Sequence, residues 1–349
     1  MTVLVTGATG VAGSYIVEAL MTTEAKVRVL AMPHAVHRLR FRDRIEVVPG
    51  HLHDERALSE AVAGVETVFH AAVLASGKHR LDDYAEVVHD GTRRLLAALP
   101  GSVRRIVFVS SSDVYAPHRA PETWPVLDDA PREAHGASLD IARSVACIRA
   151  EDEIFEASAC GGPAYTILRP TQICGRDAQA VDQAVEALIR NPQAVQATQG
   201  RRSTMQWVHG TDLARACLSA AEAPEAANQC FLIAGGEAVT ELDLLSLIWD
   251  LINPGAPGNP HAAAARGANP GRLKFAIDKA ERLLGWTPGV TVRTCLQEVL
   301  GRLDFHSTAS MGLPGRERRF TPPPGTTAST GPGSVALPGG QMPGGGWGT

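Results

Sequence analysis

The 349-residue sequence lacks the features that mark membrane, secreted and nucleic-acid-binding proteins. No apolar run reaches the roughly 18 residues that span a bilayer. Met1 leads into Val3, Leu4 and Val5 without the basic leader of a secretion signal. No basic run is present, and a net charge of −4 gives no field that would hold nucleic acid or anionic lipid. We therefore expect a cytoplasmic protein with no nucleic-acid and no membrane partner.

The six cysteines include no Cys-x-x-Cys pair. They are scattered along the chain, at positions 147, 160, 174, 217, 230 and 295. This spacing favours free thiols in a reducing compartment over a disulfide framework or a zinc site. We therefore expect no structural disulfides and no metal site.

Tyrosine and lysine are also scarce, with four residues of each against 29 arginines. The tyrosines stand at positions 15, 84, 115 and 165, and the lysines at 26, 78, 274 and 279. No lysine therefore lies between positions 79 and 273. This gap excludes any mechanism that needs a tyrosine and a lysine together on one central helix.

The first half of the chain alternates strand-like and helix-like segments. Short runs rich in β-branched residues are followed by segments whose apolar residues recur at i, i+3 and i+4. This alternation predicts βαβ units, and hence an α/β fold with a doubly wound parallel sheet. The strand-like runs are Val3–Val5, Lys26–Ala31, Ile45–Val48, Thr67–His70 and Arg105–Ser110, and the helix-like segments are Ser14–Met21, Arg56–Val62 and Tyr84–Ala98.

The second half is less regular. We predict a long helix over Ala142–Ser158, strands at Tyr165–Leu168, Met205–Val208 and Cys230–Ala234, and helices around Leu213–Ala221, Glu241–Leu251 and Val292–Leu303. Residues 306–349 are dominated by Gly, Pro, Ser and Thr. Such a composition buries too little surface to offset its ordering entropy, so this segment is predicted to be a disordered tail.

A glycine-rich turn over residues 6–13 directly follows the first predicted strand and opens the first helix. Gly7 permits the tight turn, Gly10 lets the backbone approach a pyrophosphate, and Gly13 allows close packing of helix on sheet. The helix N-terminus adds amide donors and positive potential. In a chain that continues as βαβ units, this pattern predicts dinucleotide binding.

The end of the second strand distinguishes NAD from NADP. A carboxylate there accepts hydrogen bonds from the ribose diol of NAD and repels the 2′-phosphate of NADP. This sequence has Ala31-Met32-Pro33-His34 instead, followed by Arg38 and Arg40. These arginines are either partners of a 2′-phosphate or solvated side chains. The lack of an acid favours NADP.

Several segments together resemble the extended short-chain dehydrogenase/reductase family, in its NAD-dependent epimerase/dehydratase group. They follow one another in order over residues 1–303: the glycine-rich turn, Phe69-His70-Ala71-Ala72, residues 109–115, 168–175 and 207–214, Asp278-Lys279-Ala280, and residues 284–288. The resemblance implies an NAD(P)-binding Rossmann domain over residues 1–170, with sheet contributions from later segments. It also implies a smaller α/β substrate-binding region over 171–305, before the tail at 306–349, and it is compatible with a homodimer.

The resemblance further implies which residues surround the cofactor. Carried over position by position, these are Gly7, Thr9, Gly10, Val11, Ala12 and Gly13 at the pyrophosphate, Met32 and Arg38 at the end of the second strand, His51 and Leu52 at the adenine, Ala71, Ala72 and Val73 at the ribose, and Val109, Ser110, Pro170 and Ile173 around the nicotinamide.

In this family a Tyr-x-x-x-Lys pair on the helix after the fifth strand transfers the proton, and here that pair is missing. The best alignment over residues 140–146 puts Ile141 at the tyrosine position and Val145 at the lysine position. Two other registers fail in the same way. An isoleucine has no proton to donate, and a valine supplies neither a cation nor a hydrogen bond to a ribose.

The family's serine position falls on Ser111, which admits three interpretations. Ser111 polarises a substrate carbonyl while Tyr115, His135 or His209 handles the proton. Alternatively, it only hydrogen-bonds bound cofactor or substrate, or it is a strand-end serine with a satisfied hydroxyl. The candidate catalytic residues are therefore Ser111, Tyr115 and His135.

The substrate is expected to be a small molecule other than a nucleotide sugar. Many nucleotide-sugar members carry an arginine where this chain has Met205-Gln206. A methionine does not replace a bidentate contact between guanidinium and phosphate.

Two classes of function follow. The first is a divergent NAD(P)-binding oxidoreductase, epimerase or dehydratase acting on a small hydroxy or carbonyl compound. The second keeps the scaffold without the usual chemistry, as a pseudoenzyme that regulates or assembles, or as a non-redox cyclase or lyase. The glycine turn and Pro170 favour continued cofactor binding, whereas the missing pair favours the second class over ordinary hydride transfer.

Overall fold

Eleven strands are present in the computed structural model, which describes residues 1–74, 80–115, 125–134, 138–191, 204–255, 257–259, 261 and 275–303. Within those ranges the strands are β1 (Thr2–Thr6), β2 (Lys26–Ala31), β3 (Glu46–Pro49), β4 (Thr67–His70), β5 (Arg105–Val109), β6 (Ala164–Pro170), β7 (Ile173–Cys174), β8 (Thr204–Met205), β9 (Val208–His209), β10 (Gln229–Ile233) and β11 (Val239–Thr240). The predicted tail and His135 lie outside the described residues.

Seven of these strands form the central sheet, in the order β10-β6-β5-β4-β1-β2-β3. Every neighbouring pair in it is parallel. From β1 the chain proceeds outward to β3 and then returns to β4 on the other side of β1, so the winding direction reverses there. The predicted doubly wound α/β fold is confirmed. At such a reversal a crevice opens at the carboxyl ends of the strands.

Ten α-helices accompany the strands within the described ranges. They are α1 (Val11–Leu20), α2 (Glu55–Val62), α3 (Leu81–Tyr84), α4 (Gly91–Ala98), α5 (Ser138–Ala159), α6 (Gln179–Arg190), α7 (Gly210–Glu222), α8 (Glu241–Ile252), α9 (Asp278–Leu284) and α10 (Val292–Arg302). A π-helical segment, Ala85–Asp90, joins α3 to α4. In the part of the chain that is described, no helix combines the length and the apolar character needed to cross a bilayer.

The predicted strand Met205–Val208 is in fact two short strands in two different sheets. β8 pairs antiparallel with β11, whereas β9 pairs parallel with β7. Gln206 and Trp207 separate them, and the buried Gln206 amide donates to the Gly235 carbonyl oxygen at 2.7 Å. An apolar run does not reveal such a break, because the partner residues are distant in sequence.

The hydrophobic side chains form two clusters. The larger one fills both faces of the central sheet and includes residues of β10 and α9. The smaller one is built from α6, α8 and α10 around Cys174 and Trp207. The division into domains at residue 170 stays a prediction.

The prediction of free thiols is wrong for two of the six cysteines. Cys174 in β7 and Cys295 in α10 form a disulfide, with their Cα atoms 6.2 Å apart. The other four cysteines are free. Because 121 residues separate the two partners, the spacing along the sequence carries no signal for this pair. The packing of the smaller cluster brings them together.

Candidate functional site

The glycine-rich turn lies where the winding of the sheet reverses. Gly7 has a φ of +73°, and a Cβ there would lie 2.4 Å from the carbonyl oxygen of Ala71, just after β4. A Cβ at Gly13 would lie 2.2 Å from the Gly7 carbonyl oxygen. The Gly10 amide closes the turn by donating to that same oxygen at 2.9 Å. Side chains are thus excluded where β1, β4 and α1 meet.

The N-terminus of α1 faces outward from this turn. Gly10 is its N-cap with an extended backbone, no described side chain caps the helix, and its first turn carries no acidic residue. Gly10 is exposed, while Thr9, Val11 and Ala12 are half-buried. Uncapped amides at the positive end of a helix dipole attract an anion, and the adjacent backbone leaves room for a pyrophosphate.

The adenosine side of the predicted site lies at the ends of β2 and β3. Met32 is 45% exposed and precedes a 3₁₀ helix, Pro33–Arg38. Arg38 is exposed, as is His51, whereas Leu52 is buried. The Leu52 side chain packs so closely on Gly91 that a Cβ at Gly91 would lie 2.7 Å from its Cδ1 atom. No carboxylate follows β2 within this segment.

The residues that follow β4 lie beside the glycine-rich turn, at the same edge of the sheet. The Ala71 amide donates to the Thr6 carbonyl oxygen at 3.1 Å, so Ala71 stands beside Gly7. Ala71 is buried, and Ala72 and Val73 are half-buried. These three residues lie where the resemblance places the cofactor ribose.

His70, the last residue of β4, is buried and held at both ring nitrogens. Its Nδ1 lies 2.6 Å from the Thr6 hydroxyl and its Nε2 lies 2.9 Å from the Thr92 hydroxyl. Thr92 donates its own hydrogen to the Val88 carbonyl oxygen, so it accepts from Nε2. The ring is thus neutral with the hydrogen on Nε2. Burial lowers the pKa of His70 from 6.5 to about 3.

Ser110, just after β5, belongs to a buried polar network. Its hydroxyl donates to Glu151 Oε1 at 2.7 Å. Arg169 donates to both oxygens of Glu151, at 2.9 and 2.7 Å, and Arg132 lies 3.2 Å from Oε2. The Glu151 side chain is fully buried. The Ser110 hydroxyl is therefore engaged within this network. The Ser110 backbone lies with buried Val109 at the predicted nicotinamide edge.

Ser111 begins a single 3₁₀ turn, Ser112–Val114, and is half-buried. Its Oγ accepts a hydrogen bond from the Asp113 amide at 3.2 Å. The Ser144 hydroxyl of α5 donates to the Asp113 carbonyl oxygen at 2.7 Å, and Arg143 forms an ion pair with the Asp113 carboxylate. The turn that carries Ser111 is therefore fastened to α5.

Tyr115 is buried, and its hydroxyl is engaged on both sides. It donates to the Asp128 carbonyl oxygen at 2.8 Å and accepts from Arg169 Nη1 at 2.5 Å. Burial raises the pKa of the Tyr115 hydroxyl, although the neighbouring Arg169 acts in the opposite direction. A catalytic role for Tyr115 stays a prediction. The proton it would transfer is already committed to Asp128.

His209 is buried at the start of α7. Its Nδ1 accepts from the Thr211 amide at 3.2 Å, and its Nε2 faces the Glu298 carboxylate of α10 at 3.2 Å. His209 thus links α7 to α10.

One face of α5 is turned toward the end of β5. Glu151 and Cys147 both contact the Ser110 hydroxyl, and Arg143, one turn earlier, contacts Asp113. Ile141 is 41% exposed. The described residues of α5 that contact the end of β5 and the turn after it are thus Arg143, Cys147 and Glu151. The alignment that puts Ile141 and Val145 at the family's tyrosine and lysine positions stays a prediction. In the sequence, Arg143, Cys147 and Glu151 recur at four-residue intervals, and this spacing predicts that they share one face of the helix.

The end of β6 and the segment after it carry the remaining residues that are predicted to surround the nicotinamide. Pro170 is buried at the end of the strand, and Ile173 is half-buried in β7. Between them, Thr171 is buried, and its Oγ1 has no hydrogen-bond partner among the described residues. Sequence reasoning missed Thr171. The ends of β1, β4, β5 and β6 thus bring the predicted pyrophosphate, ribose and nicotinamide residues to one edge of the sheet.

Comparison with known proteins gives consistent matches. Residues 3–234 match the NAD dependent epimerase/dehydratase family. "Uncharacterized protein y4nG" of Sinorhizobium fredii is 26% identical over 347 residues, which span 92% of this chain and 83% of that protein. UDP-glucose 4-epimerase of Vibrio cholerae is 26% identical over 257 residues, which span 70% and 73% of the two chains.

Among solved structures, the fold resembles a short-chain dehydrogenase/reductase superfamily protein from Agrobacterium tumefaciens with bound NAD. The TM-score is 0.65 at 25% sequence identity, and the match covers 86% of this chain and 96% of that chain. That similarity extends beyond the residues matched by the family.

Proposed function

Because the chain belongs to the NAD-dependent epimerase/dehydratase family, we propose that it is an enzyme that binds NAD(P) and acts on a small hydroxy or carbonyl compound. One observation carries the proposal: Gly7 and Gly13 exclude side chains beside an uncapped helix N-terminus at Gly10, at the point where the sheet winding reverses. When bound, the cofactor would supply a hydride acceptor or donor.

Each part of the edge has its own task in this proposal. The amides that follow Gly10 hold the pyrophosphate, and the backbone after β4, from Ala71 on, lies along the ribose. Buried Val109 and Pro170 give the nicotinamide a dry, apolar surround. Excluding water there strengthens every polar contact to a substrate.

Ser111 is the group we propose to act on the substrate oxygen. Its Oγ accepts from the Asp113 amide, and this contact leaves its hydrogen for donation. Ser111 is half-buried, and a hydroxyl positioned by a backbone amide in this way polarises a substrate carbonyl or orients a substrate hydroxyl.

We propose NADP as the preferred cofactor. Arg38 and Arg40 are both exposed near the end of β2. Guanidinium groups bind a phosphate in a bidentate manner, and Ala31-Met32 offers no carboxylate to the ribose diol of NAD.

A nucleotide sugar is a less suitable substrate. The position that would carry a phosphate-binding arginine holds Met205 in β8 and Gln206. The Gln206 amide is buried and bonded to the Gly235 carbonyl oxygen, so it is committed to the fold. A compact substrate without a diphosphate fits this arrangement.

The test is a calorimetric titration of the full chain with NADP(H) and NAD(H), comparing wild type with Gly10→Asp. An Asp at the N-cap stabilises a helix by capping it, so this variant keeps its melting temperature. Its carboxylate stands where the pyrophosphate binds, and we expect cofactor affinity to fall more than about 30-fold. The matched control is Gly101→Asp at an exposed site with no atom nearby, which keeps wild-type affinity.

Two results would contradict the proposal. If wild type binds neither dinucleotide at millimolar concentration, cofactor binding is wrong. If NADPH binds and no carbonyl compound in a broad panel oxidises it, the enzyme assignment fails, and a pseudoenzyme or a non-redox lyase is the better assignment.

A further inference from the structure

Arg143 stands on the face of α5 that looks toward the end of β5. Cys147 and Glu151 on the same face contact Ser110, and Arg143 follows one turn nearer the start of the helix. Its guanidinium pairs with Asp113, two residues beyond Ser111. A cation is thereby held beside the residue proposed to act on the substrate.

Asp113 positions this cation from a rigid turn. The Asp113 amide donates to Ser111 Oγ at 3.2 Å, and its carbonyl oxygen accepts from the Ser144 hydroxyl at 2.7 Å. Ser144 is fully buried and adjoins Arg143 in α5. Ser111 and the guanidinium are thus linked through a single residue whose backbone is fixed at both its amide and its carbonyl.

Arg143 has fewer partners among the described residues than Arg169 has. Arg169 is almost fully buried and bonds Glu151 through Nε and Nη2, and Tyr115 through Nη1. Arg143 contacts one carboxylate through Nη2. Its Nε is buried and has no hydrogen-bond partner among the described residues, while 20% of the side chain as a whole is exposed.

Burial also disfavours the charge of Arg143. It lowers the pKa of the guanidinium below its ordinary value. The described carboxylate that compensates the charge is that of Asp113. A second anion delivered by a ligand would add to this compensation. A guanidinium with one carboxylate partner in a partly dry site binds a second carboxylate more strongly than an exposed arginine does.

We propose that Arg143 binds a carboxylate of the substrate, so that the substrates are small hydroxy or keto acids whose reacting carbon lies beside Ser111. This inference rests on the proposed function and narrows its substrate class.

The alternative role for Arg143 is purely structural, as a bridge between α5 and the Ser111 turn. The two roles differ in their prediction for Asp113→Asn. If the ion pair is only a bridge, removing either partner has the same effect. If Arg143 binds substrate, removing Asp113 frees the guanidinium and strengthens binding of an acid, whereas removing Arg143 abolishes it.

The experiment measures binding of lactate, pyruvate and 2-hydroxybutyrate, each beside its uncharged amide, to the full chain with and without NADP(H). We expect Arg143→Gln to weaken binding of the acids by about tenfold or more, with amide and NADP(H) affinities unchanged. Asp113→Asn should strengthen acid binding about threefold or more. The matched control is Arg149→Gln, which removes an equal charge from an exposed position of the same helix.

Three outcomes would overturn the inference: wild type binds no acid better than its amide, both variants weaken acid binding equally, or Arg143→Gln weakens NADP(H) instead of the acid. Thermal melting of each variant separates loss of fold from loss of binding. Because acid binding is also measured without cofactor, failure of the wild type to bind NADP(H) would count against the proposed function alone.

Discussion

Ser111 is the residue on which the proposed chemistry depends most directly. We expect Ser111→Ala to lower kcat/KM on any hydroxy or keto acid that is turned over by about 100- to 1,000-fold, the cost of losing one donor to a developing oxyanion. Cofactor affinity should not change, because the predicted cofactor contacts near Ser111 are made by Val109 and Pro170.

Steady-state kinetics and calorimetry on the same preparations check this expectation. Ser112→Ala serves as control, since that serine lies in the same turn and has no proposed contact with substrate. Full activity of Ser111→Ala would show that Ser111 is one of the satisfied strand-end serines.

The sequence predicts the role of some single residues but not the hydrogen-bond partners of others. The glycines at 7, 10 and 13 were predicted because their task is local: a turn and the first helical residues suffice to define it. The partners of Ser110 and Tyr115 were not predicted. Glu151 lies 41 residues from Ser110, and Arg169 lies 54 residues from Tyr115. Hydrogen bonds over such separations leave no periodic trace.

At the scale of elements, α5 shows that a helix can be predicted while the face that it turns toward the sheet cannot. The helix was predicted over Ala142–Ser158 and extends over Ser138–Ala159. It packs on α3, α4 and the π-helical segment as well as on the sheet, so buried positions occur on more than one face. Without a single apolar stripe, periodicity does not tell which residues face β5. Packing against Ser110 and Asp113 decides it.

The disulfide between β7 and α10 predicts how many thiols of the denatured protein react. Denatured protein kept free of reductant should show four reactive thiols, and reduced protein should show six. Because the link closes a long loop, we expect its loss in Cys174→Ala/Cys295→Ala to lower the free energy of unfolding by about 2–4 kcal/mol.

Thiol titration and denaturant unfolding check these values. Cys160→Ser, which removes an exposed free thiol, should lower both thiol counts by one and leave stability unchanged. Six reactive thiols without reductant would contradict the pairing.

At the scale of the whole molecule, buried His70 makes the free energy of unfolding depend on pH. In the native state it is neutral with a pKa of about 3, against an ordinary value of 6.5. Above pH 6.5 neither state carries the proton, so its contribution to stability is complete. Between pH 6.5 and about 3 the unfolded chain binds a proton that the native state does not. The contribution then falls by about 1.4 kcal/mol per pH unit.

Urea unfolding of wild type and His70→Gln between pH 7.5 and 4.5 checks this dependence. The stability advantage of wild type should shrink as the pH falls. NMR titration of the His70 ring tests the same claim without a variant, and a native pKa near 6.5 would refute it.

The sequence alone determined the doubly wound sheet and the glycine-rich turn at which we propose that a dinucleotide binds, because both follow from short-range patterns: alternating strands and helices, and glycines three residues apart. The tertiary structure alone decided which face of α5 meets β5, which cysteines pair, and which hydroxyls are already committed to partners. Those outcomes depend on contacts between residues that are tens of positions apart, and packing and charge compensation select such contacts only when the whole chain has folded.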